Sequence, residues 1–280
     1  MTYRAGDLID LDRYPIHRDC TARDALIARV RADLARDGCA VIRNFLTAGA
    51  IGALTQEADS VAHLGHRSFN RTNAYFTKDD PDLPEDDPRR RFFDRSNTFI
   101  PADNFLKTGA LRTIHDAPGF DRFVQDCVQE DRFFRYADPL ADVIVNMAEA
   151  GNGFPWHFDT NNFTVTLAIQ NACAGGAFEY APAIRQGGEN FDEVTRVLDG
   201  TSEKVTVLEL CPGDLQLFRG RYSLHRVAPL KGARRRYVAI FSYVEEPGMV
   251  GAPERTKQLY GRVLPIHLER AGLRADAFID

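Results

Sequence analysis

No stretch of this 280-residue chain approaches the roughly 20 consecutive apolar residues that cross a bilayer. The opening, Met1-Thr2-Tyr3-Arg4-Ala5-Gly6-Asp7, lacks the apolar core of a secretory signal. There is no excess of basic charge either. A net charge of -5 and a pI near 5.8 argue against nucleic acid or an anionic membrane as the main partner. The arginine tracts 89–91 and 234–236 are too short to change that balance. The five cysteines (Cys20, Cys39, Cys127, Cys173 and Cys211) are odd in number, far apart and without a CxxC pair. This excludes a zinc ribbon or a disulfide framework and fits reduced thiols in a cytoplasmic protein. What is present is ordinary for a globular domain: 44% hydrophobic and 27% charged residues, in a chain long enough to bury a large core.

The pattern divides the chain without supplying a linker, so one domain over 1–280 is expected. The first part, 1–135, reads as mainly helical support. Leu26, Val30 and Leu34 recur at helical spacing from a Thr21-x-x-Asp24 capping start, and Gly38 stops the helix. Cys39-Ala40-Val41-Ile42 reads as a strand, and further helices are expected over 47–62, 104–114 and 118–130. Between them, 65–103 holds three prolines among clustered charges over 79–88 and reads as a long loop, a candidate lid over a site. Short alternating strands then dominate 140–245: 143–147, 163–169, 177–180, 204–210, 215–218, 225–227 and 236–243, with a loop and short helix over 184–202. Such a series means an α+β protein built on a sandwich or barrel. A final helix is expected over 253–271.

The chemistry concentrates in the β-rich half. In His157-Phe158-Asp159 on a strand, residues two apart share a face, so His157 and Asp159 can hold one cation while Phe158 packs away from it. His225 lies 68 residues on, where a barrel returns distant strands to each other, and is the candidate third ligand. Two imidazoles and one carboxylate form the facial ligand set of non-haem Fe(II), which leaves positions open for O₂ and a co-substrate. Arg236 follows His225 after one turn and shares its strand face with Val238, Ile240 and Ser242. It is the candidate clamp for a co-substrate carboxylate, with Arg234 on the same face as the alternative. For the substrate, Arg95, Asn146 and Asn162 are candidate contacts. Arg71 and Tyr180 are also considered, and Trp156, opposite in parity to His157, is expected in packing.

The order of His157-Phe158-Asp159, Gly175-Gly176-Ala177-Phe178-Glu179-Tyr180, Pro212-Gly213-Asp214-Leu215-Gln216-Leu217-Phe218, His225-Arg226-Val227 and Arg236-Tyr237 resembles the 2-oxoglutarate and Fe(II)-dependent dioxygenases over residues 140–245. The stretch 161–167 and the tail 241–249 are similar to a small bacterial branch that contains free-amino-acid hydroxylases and radical halogenases. The resemblance implies a double-stranded β-helix (jelly-roll, cupin-like) core and Fe(II) held by His157, Asp159 and His225. It further implies 2-oxoglutarate paired with Arg236, and use of O₂ on a small-molecule substrate. Halogenases of this branch carry glycine or alanine where this chain has Asp159, so the resemblance implies hydroxylation, or a related oxidation such as desaturation. The competing readings are a hydroxylase of peptide or protein side chains, and a β-barrel binding module without catalysis.

Overall fold

The computed structural model describes residues 2–270. In chain order the elements are α1 (Ala5–Leu8), α2 (Thr21–Asp37), β1 (Cys39–Ile42), α3 (Ala48–Val61), β2 (His66–Thr72), β3 (Phe93–Ile100), α4 (Ala110–His115) and α5 (Phe120–Val128). There follow β4 (Phe134–Arg135), β5 (Val143–Ala148), β6 (Phe154–His157), β7 (Thr164–Gln170), β8 (Ala174–Gly175), β9 (Phe178–Ala181) and α6 (Phe191–Leu198). The chain continues through β10 (Thr206–Leu208), β11 (Leu215–Phe218), β12 (Leu224–Val227), β13 (Leu230–Lys231), β14 (Arg236–Phe241) and β15 (Tyr243–Val244) to α7 (Pro253–Tyr260) and α8 (Pro265–Glu269).

Two antiparallel sheets make the core. One runs β1-β11-β7-β14-β5-β3-β2 and the other β10-β9-β12-β6. Period-2 alternation gives each strand of the larger sheet two faces. Val143, Val145 and Met147 of β5, Val165, Leu167 and Ile169 of β7, and Tyr237 and Ala239 of β14 turn outward. They pack with Leu26, Val30 and Leu34 of α2, Leu54 of α3, and Phe120 and Phe123 of α5 in the main hydrophobic core. The Tyr237 hydroxyl donates to Asp59 Oδ1 of α3 at 2.7 Å, which ties sheet to helix. The smaller sheet buries its outer face, including Trp156 and Leu224, against Val194 and Val197 of α6. The space left between the sheets holds the cavity described below. The α+β jelly-roll expectation therefore holds.

Four expectations need correction. The segment 65–103 is not one loop: β2 and β3 pair antiparallel from His66↔Phe99 to Thr72↔Phe93 and add a hairpin to the large sheet. Polar residues such as Arg95 and Asn97 are buried on β3, so the strand lacks a hydrophobic alternation. The Thr21-x-x-Asp24 capping start is absent. Thr21 is already helical, and Cys20 is the N-cap without a side-chain hydrogen bond. The helix expected over 104–114 begins only at Ala110. The C-terminal helix breaks in two, because Gly261 takes a left-handed conformation (φ 74) that ends α7, and Pro265 starts α8 at a position where no amide donor is needed. Ala271, the expected end, lies outside the described residues.

His267 of α8 is fully buried. The Leu264 amide donates to its Nδ1 at 2.9 Å, so its Nε2 carries the proton and faces Asp138 Oδ2 at 3.0 Å. His115 is buried beside Phe241 with neither ring nitrogen bonded. Burial, and then Arg135, push its pKa down to about 4. The unfolded chain thus binds a proton between about pH 6.5 and 4 that the folded chain refuses. Stability is full above that window and falls through it on acidification, by about 1.4 kcal/mol per pH unit. Urea unfolding at pH 7 and pH 4.5 should show His115→Leu losing less stability on acidification than the wild type. Equal losses would remove His115 from the account.

Candidate active site

β12 lies antiparallel to β6 with His225 opposite His157. The two imidazoles are 4.1 Å apart, centroid to centroid. His157 Nδ1 lies 2.8 Å from Pro155 O, and His225 Nδ1 lies 2.9 Å from Ser223 O. A carbonyl only accepts, so each Nδ1 carries the proton and each Nε2 keeps its lone pair. Both Nε2 atoms point at Asp159 Oδ1, at 3.5 Å from His157 and 3.4 Å from His225. These three ligand atoms lie within 4.8 Å of one another, a group that could hold a metal ion. Burial, then His225, press the His157 pKa down to about 4. Burial acts to raise the Asp159 carboxyl, but His225 and the hydrogen bonds from both imidazoles outweigh it and hold the group well below the usual carboxylate range. An ionised carboxylate beside an imidazole with a free lone pair is the donor chemistry that Fe(II) takes. The residues present therefore fit the ion that the sequence implies.

Asp159 is fixed by contacts that the sequence did not reveal. Its second oxygen, Oδ2, accepts from the Thr164 hydroxyl, and its amide donates to Gly220 O at 3.1 Å. Gly220 has no side chain because none fits. A Cβ there would stand 1.9 Å from Asp159 Oδ2 and 2.6 Å from its carboxyl carbon. Rings wall in the imidazoles: Phe76 and Phe154 against His157, and Phe178 and Phe218 against His225.

The cavity, ≈ 230 Å³, takes lining from both sheets, including Arg95, Asn146, Arg236, Val238 and Ile240 beside the triad. Arg236 is buried with no printed hydrogen bond or ion pair, and burial lowers its pKa to about 10. Arg234 instead donates to Ala172 O outside the cavity. Arg95 is buried on β3, its guanidinium 4.6 Å from the Phe76 ring centre. With its amide oxygen turned toward Arg95, Asn97 accepts from Nη2 at 3.0 Å, while Nη1 has no partner. Burial first, and Arg255 second, lower the Arg95 pKa to about 9, with Asp159 opposing. Asn146 lines the wall and donates to Thr98 O at 3.3 Å. Asn162 does not; it accepts from Arg221 at 3.2 Å, and Asn161 lines the cavity in its place. Trp156 and Tyr180 pack in hydrophobic clusters, and Arg71 lines a separate surface pocket.

The part of 65–103 that remains a loop, 73–92, places Phe76. Asn73 is buried, and its Oδ1 accepts from the Tyr75 and Thr77 amides at 3.0 and 3.1 Å. These bonds hold Phe76 in the left-handed region (φ 57), which costs a non-glycine residue about 1 kcal/mol.

The Gly220 contact is directly testable. Gly220→Ala should displace the Asp159 carboxylate and weaken Fe(II) binding by about 10–100-fold in an anaerobic titration, with the far-UV spectrum retained. Unchanged affinity would mean that Asp159 is not held as described.

No curated protein matches the chain in sequence. A family model described as Halogenase D matches residues 22–255. Among solved structures, a prolyl hydroxylase from Trichoplax adhaerens, in complex with a hypoxia-inducible-factor peptide fragment, is 16% identical. The match covers 82% of this chain and 95% of that one, with a TM-score of 0.54. The epimerase SnoN, in complex with Fe³⁺, α-ketoglutarate and nogalamycin RO, is 14% identical over 79% of this chain and 84% of its own (TM-score 0.55). A 2OG-Fe(II) oxygenase family oxidoreductase from Burkholderia pseudomallei is 15% identical over 79% and 92% (TM-score 0.50). The fold is that of the 2-oxoglutarate/Fe(II) oxygenases, and with a family model spanning most of its length the chain belongs to the Halogenase D family.

Proposed function

We propose that the protein is an Fe(II)- and 2-oxoglutarate-dependent oxygenase that hydroxylates an unactivated C–H bond of a small polar metabolite, a free amino acid or a biosynthetic intermediate. The observation that carries this reading is the convergence of His157 Nε2 and His225 Nε2 on Asp159 Oδ1, inside a cavity that also holds a buried, unpaired Arg236. His157, Asp159 and His225 would hold the metal on one face. When bound, Fe(II) with O₂ and 2-oxoglutarate supplies the oxidising power to break a C–H bond, the keto acid leaving as succinate and CO₂. Arg236 would take the distal carboxylate of 2-oxoglutarate, where low polarity strengthens a bidentate pair. Arg95, with its unmatched Nη1, would take a carboxylate of the substrate, and Asn146 would line the same wall. Phe76 and Phe154 would exclude water from the reacting carbon.

Two choices follow from particular residues. Asp159 fills the carboxylate position that the halogenating enzymes of this branch leave to chloride, so transfer of oxygen is favoured over transfer of halogen despite the family's name. The cavity is small and Phe76 lines it, which favours a metabolite over the peptide that the Trichoplax prolyl hydroxylase holds. Free thiols and ferrous iron suit a reducing compartment such as the cytoplasm. No helix among the described residues is long and apolar enough to cross a membrane.

Incubation with Fe(II), ascorbate, 2-oxoglutarate and a panel of amino acids should release succinate together with a product heavier by one oxygen. His157→Ala and Asp159→Ala should abolish both. Arg236→Ala should raise the 2-oxoglutarate requirement about 10–100-fold, the loss expected for a buried charge-assisted pair. Asp159→Gly with added chloride should lose hydroxylation. Full activity in Asp159→Ala would sink the metal assignment, and an unchanged 2-oxoglutarate requirement in Arg236→Ala would sink the clamp.

A further inference from the structure

The charge of the cavity wall narrows the substrate, given the metal and co-substrate assignments above. Among the described residues, three guanidiniums line the cavity (Arg95, Arg236 and Arg255), against one carboxylate, Asp159. In that reading Asp159 belongs to the metal and Arg236 to 2-oxoglutarate. A substrate then meets Arg95 from β3 and Arg255 from α7. Both stand over the same ring, 4.6 Å and 5.6 Å from the Phe76 centroid. Arg95 is buried with Nη1 unbonded, and Arg255 donates to Gln258 Oε1 at 3.0 Å. Each acts against the charge of the other across a wall that burial has dried.

The remaining lining beside them is aromatic or uncharged: Phe99, Phe154, Thr160, Asn161 and Ser242. An ammonium or guanidinium side chain entering here would be stripped of water beside two like charges, with no acid to meet it except the metal ligand. A neutral side chain would fit but leave the second cation unused. An oxyanion answers both guanidiniums at once. We propose that the substrate is an acidic one, an amino acid carrying a second carboxylate or a closely similar dicarboxylate, engaged by Arg95 and Arg255, and that the pocket rejects basic amino acids. Arg255 is then the specificity residue, and the hydrophobic rings position the carbon chain between it and the metal.

The test is anaerobic calorimetry on protein loaded with Fe(II) and saturated with 2-oxoglutarate, so that an acidic probe does not compete at Arg236. The probes are aspartate, glutamate, their amides asparagine and glutamine, and lysine and ornithine. One of the acids should bind at least about tenfold tighter than its amide, the step expected of a charge-assisted bond, and the basic pair should not bind. Arg255→Gln should collapse the acid-to-amide ratio, and Arg255→Lys should keep part of it. Lysine or ornithine binding as tightly as the acids would overturn the proposal. So would an unchanged ratio in Arg255→Gln, or the failure of every acidic probe to bind a complex that holds both Fe(II) and 2-oxoglutarate. Failure to load Fe(II) and 2-oxoglutarate in the first place would instead overturn the oxygenase reading, and this proposal with it.

Discussion

The pairing of His225 with His157 across β12 and β6 is the constraint on which the rest of the site depends. Side chains alternate along a strand, so a slip of one residue would turn an imidazole out of the cavity and into the layer beneath α6. The register is held from outside. Trp156 and Phe158 flank His157 in sequence and bury on the opposite face with Ile184, Val194 and Val197, while Arg226, next to His225, pairs with Glu179 of β9 at 2.7 Å. The residues that carry no chemistry therefore aim those that do. The backbone carbonyls of Pro155 and Ser223 finish the work by fixing the tautomer of each ring.

A cavity lined by three guanidiniums, two imidazoles and a carboxylate is costly to fold around. The compensation lies on the other face of the same strands. Val143, Val145, Leu167, Tyr237 and their neighbours pack against the N-terminal helices and form the larger hydrophobic core. One sheet thus serves stability on one side and chemistry on the other, and β14 shows it residue by residue: Arg236, Val238 and Ile240 inward, Tyr237 and Ala239 outward. The polar wall is rigid where it must be. Asn73 holds Phe76 in a strained conformation, and Phe76 in turn is the platform for Arg95 and Arg255.

Much of this was legible in the sequence because period 2 is a local signal. His-x-Asp on a strand declared a shared face, and the parity of Arg236 with Val238 and Ile240 picked one arginine from a run of three. What was not legible depends on contacts between distant segments. The hairpin of β2 and β3 was read as loop because its buried side chains are the polar ones that face the cavity. Gly220, Thr164, Phe76 and Arg255 carry no motif; each matters only because the fold carries it to Asp159 or Arg95. The break at Gly261 could have been read from the Gly and Pro spacing, but the helical periodicity around it was given more weight. Asn162 was placed at the site by proximity in sequence to Asp159, and its neighbour Asn161 lines the cavity in its stead.

The central claim is that one facial set of two imidazoles and a carboxylate organises both the metal and the keto acid. Anaerobic titration of the purified protein with Fe(II), then with 2-oxoglutarate, followed by calorimetry and by visible charge-transfer absorption, tests it most directly. The account predicts one tightly bound Fe(II) per chain, 2-oxoglutarate binding that is much tighter with the metal than without it, and a new absorption band only when both are present. Metal-independent binding of 2-oxoglutarate, or Fe(II) binding that survives loss of both His157 and His225, would contradict it.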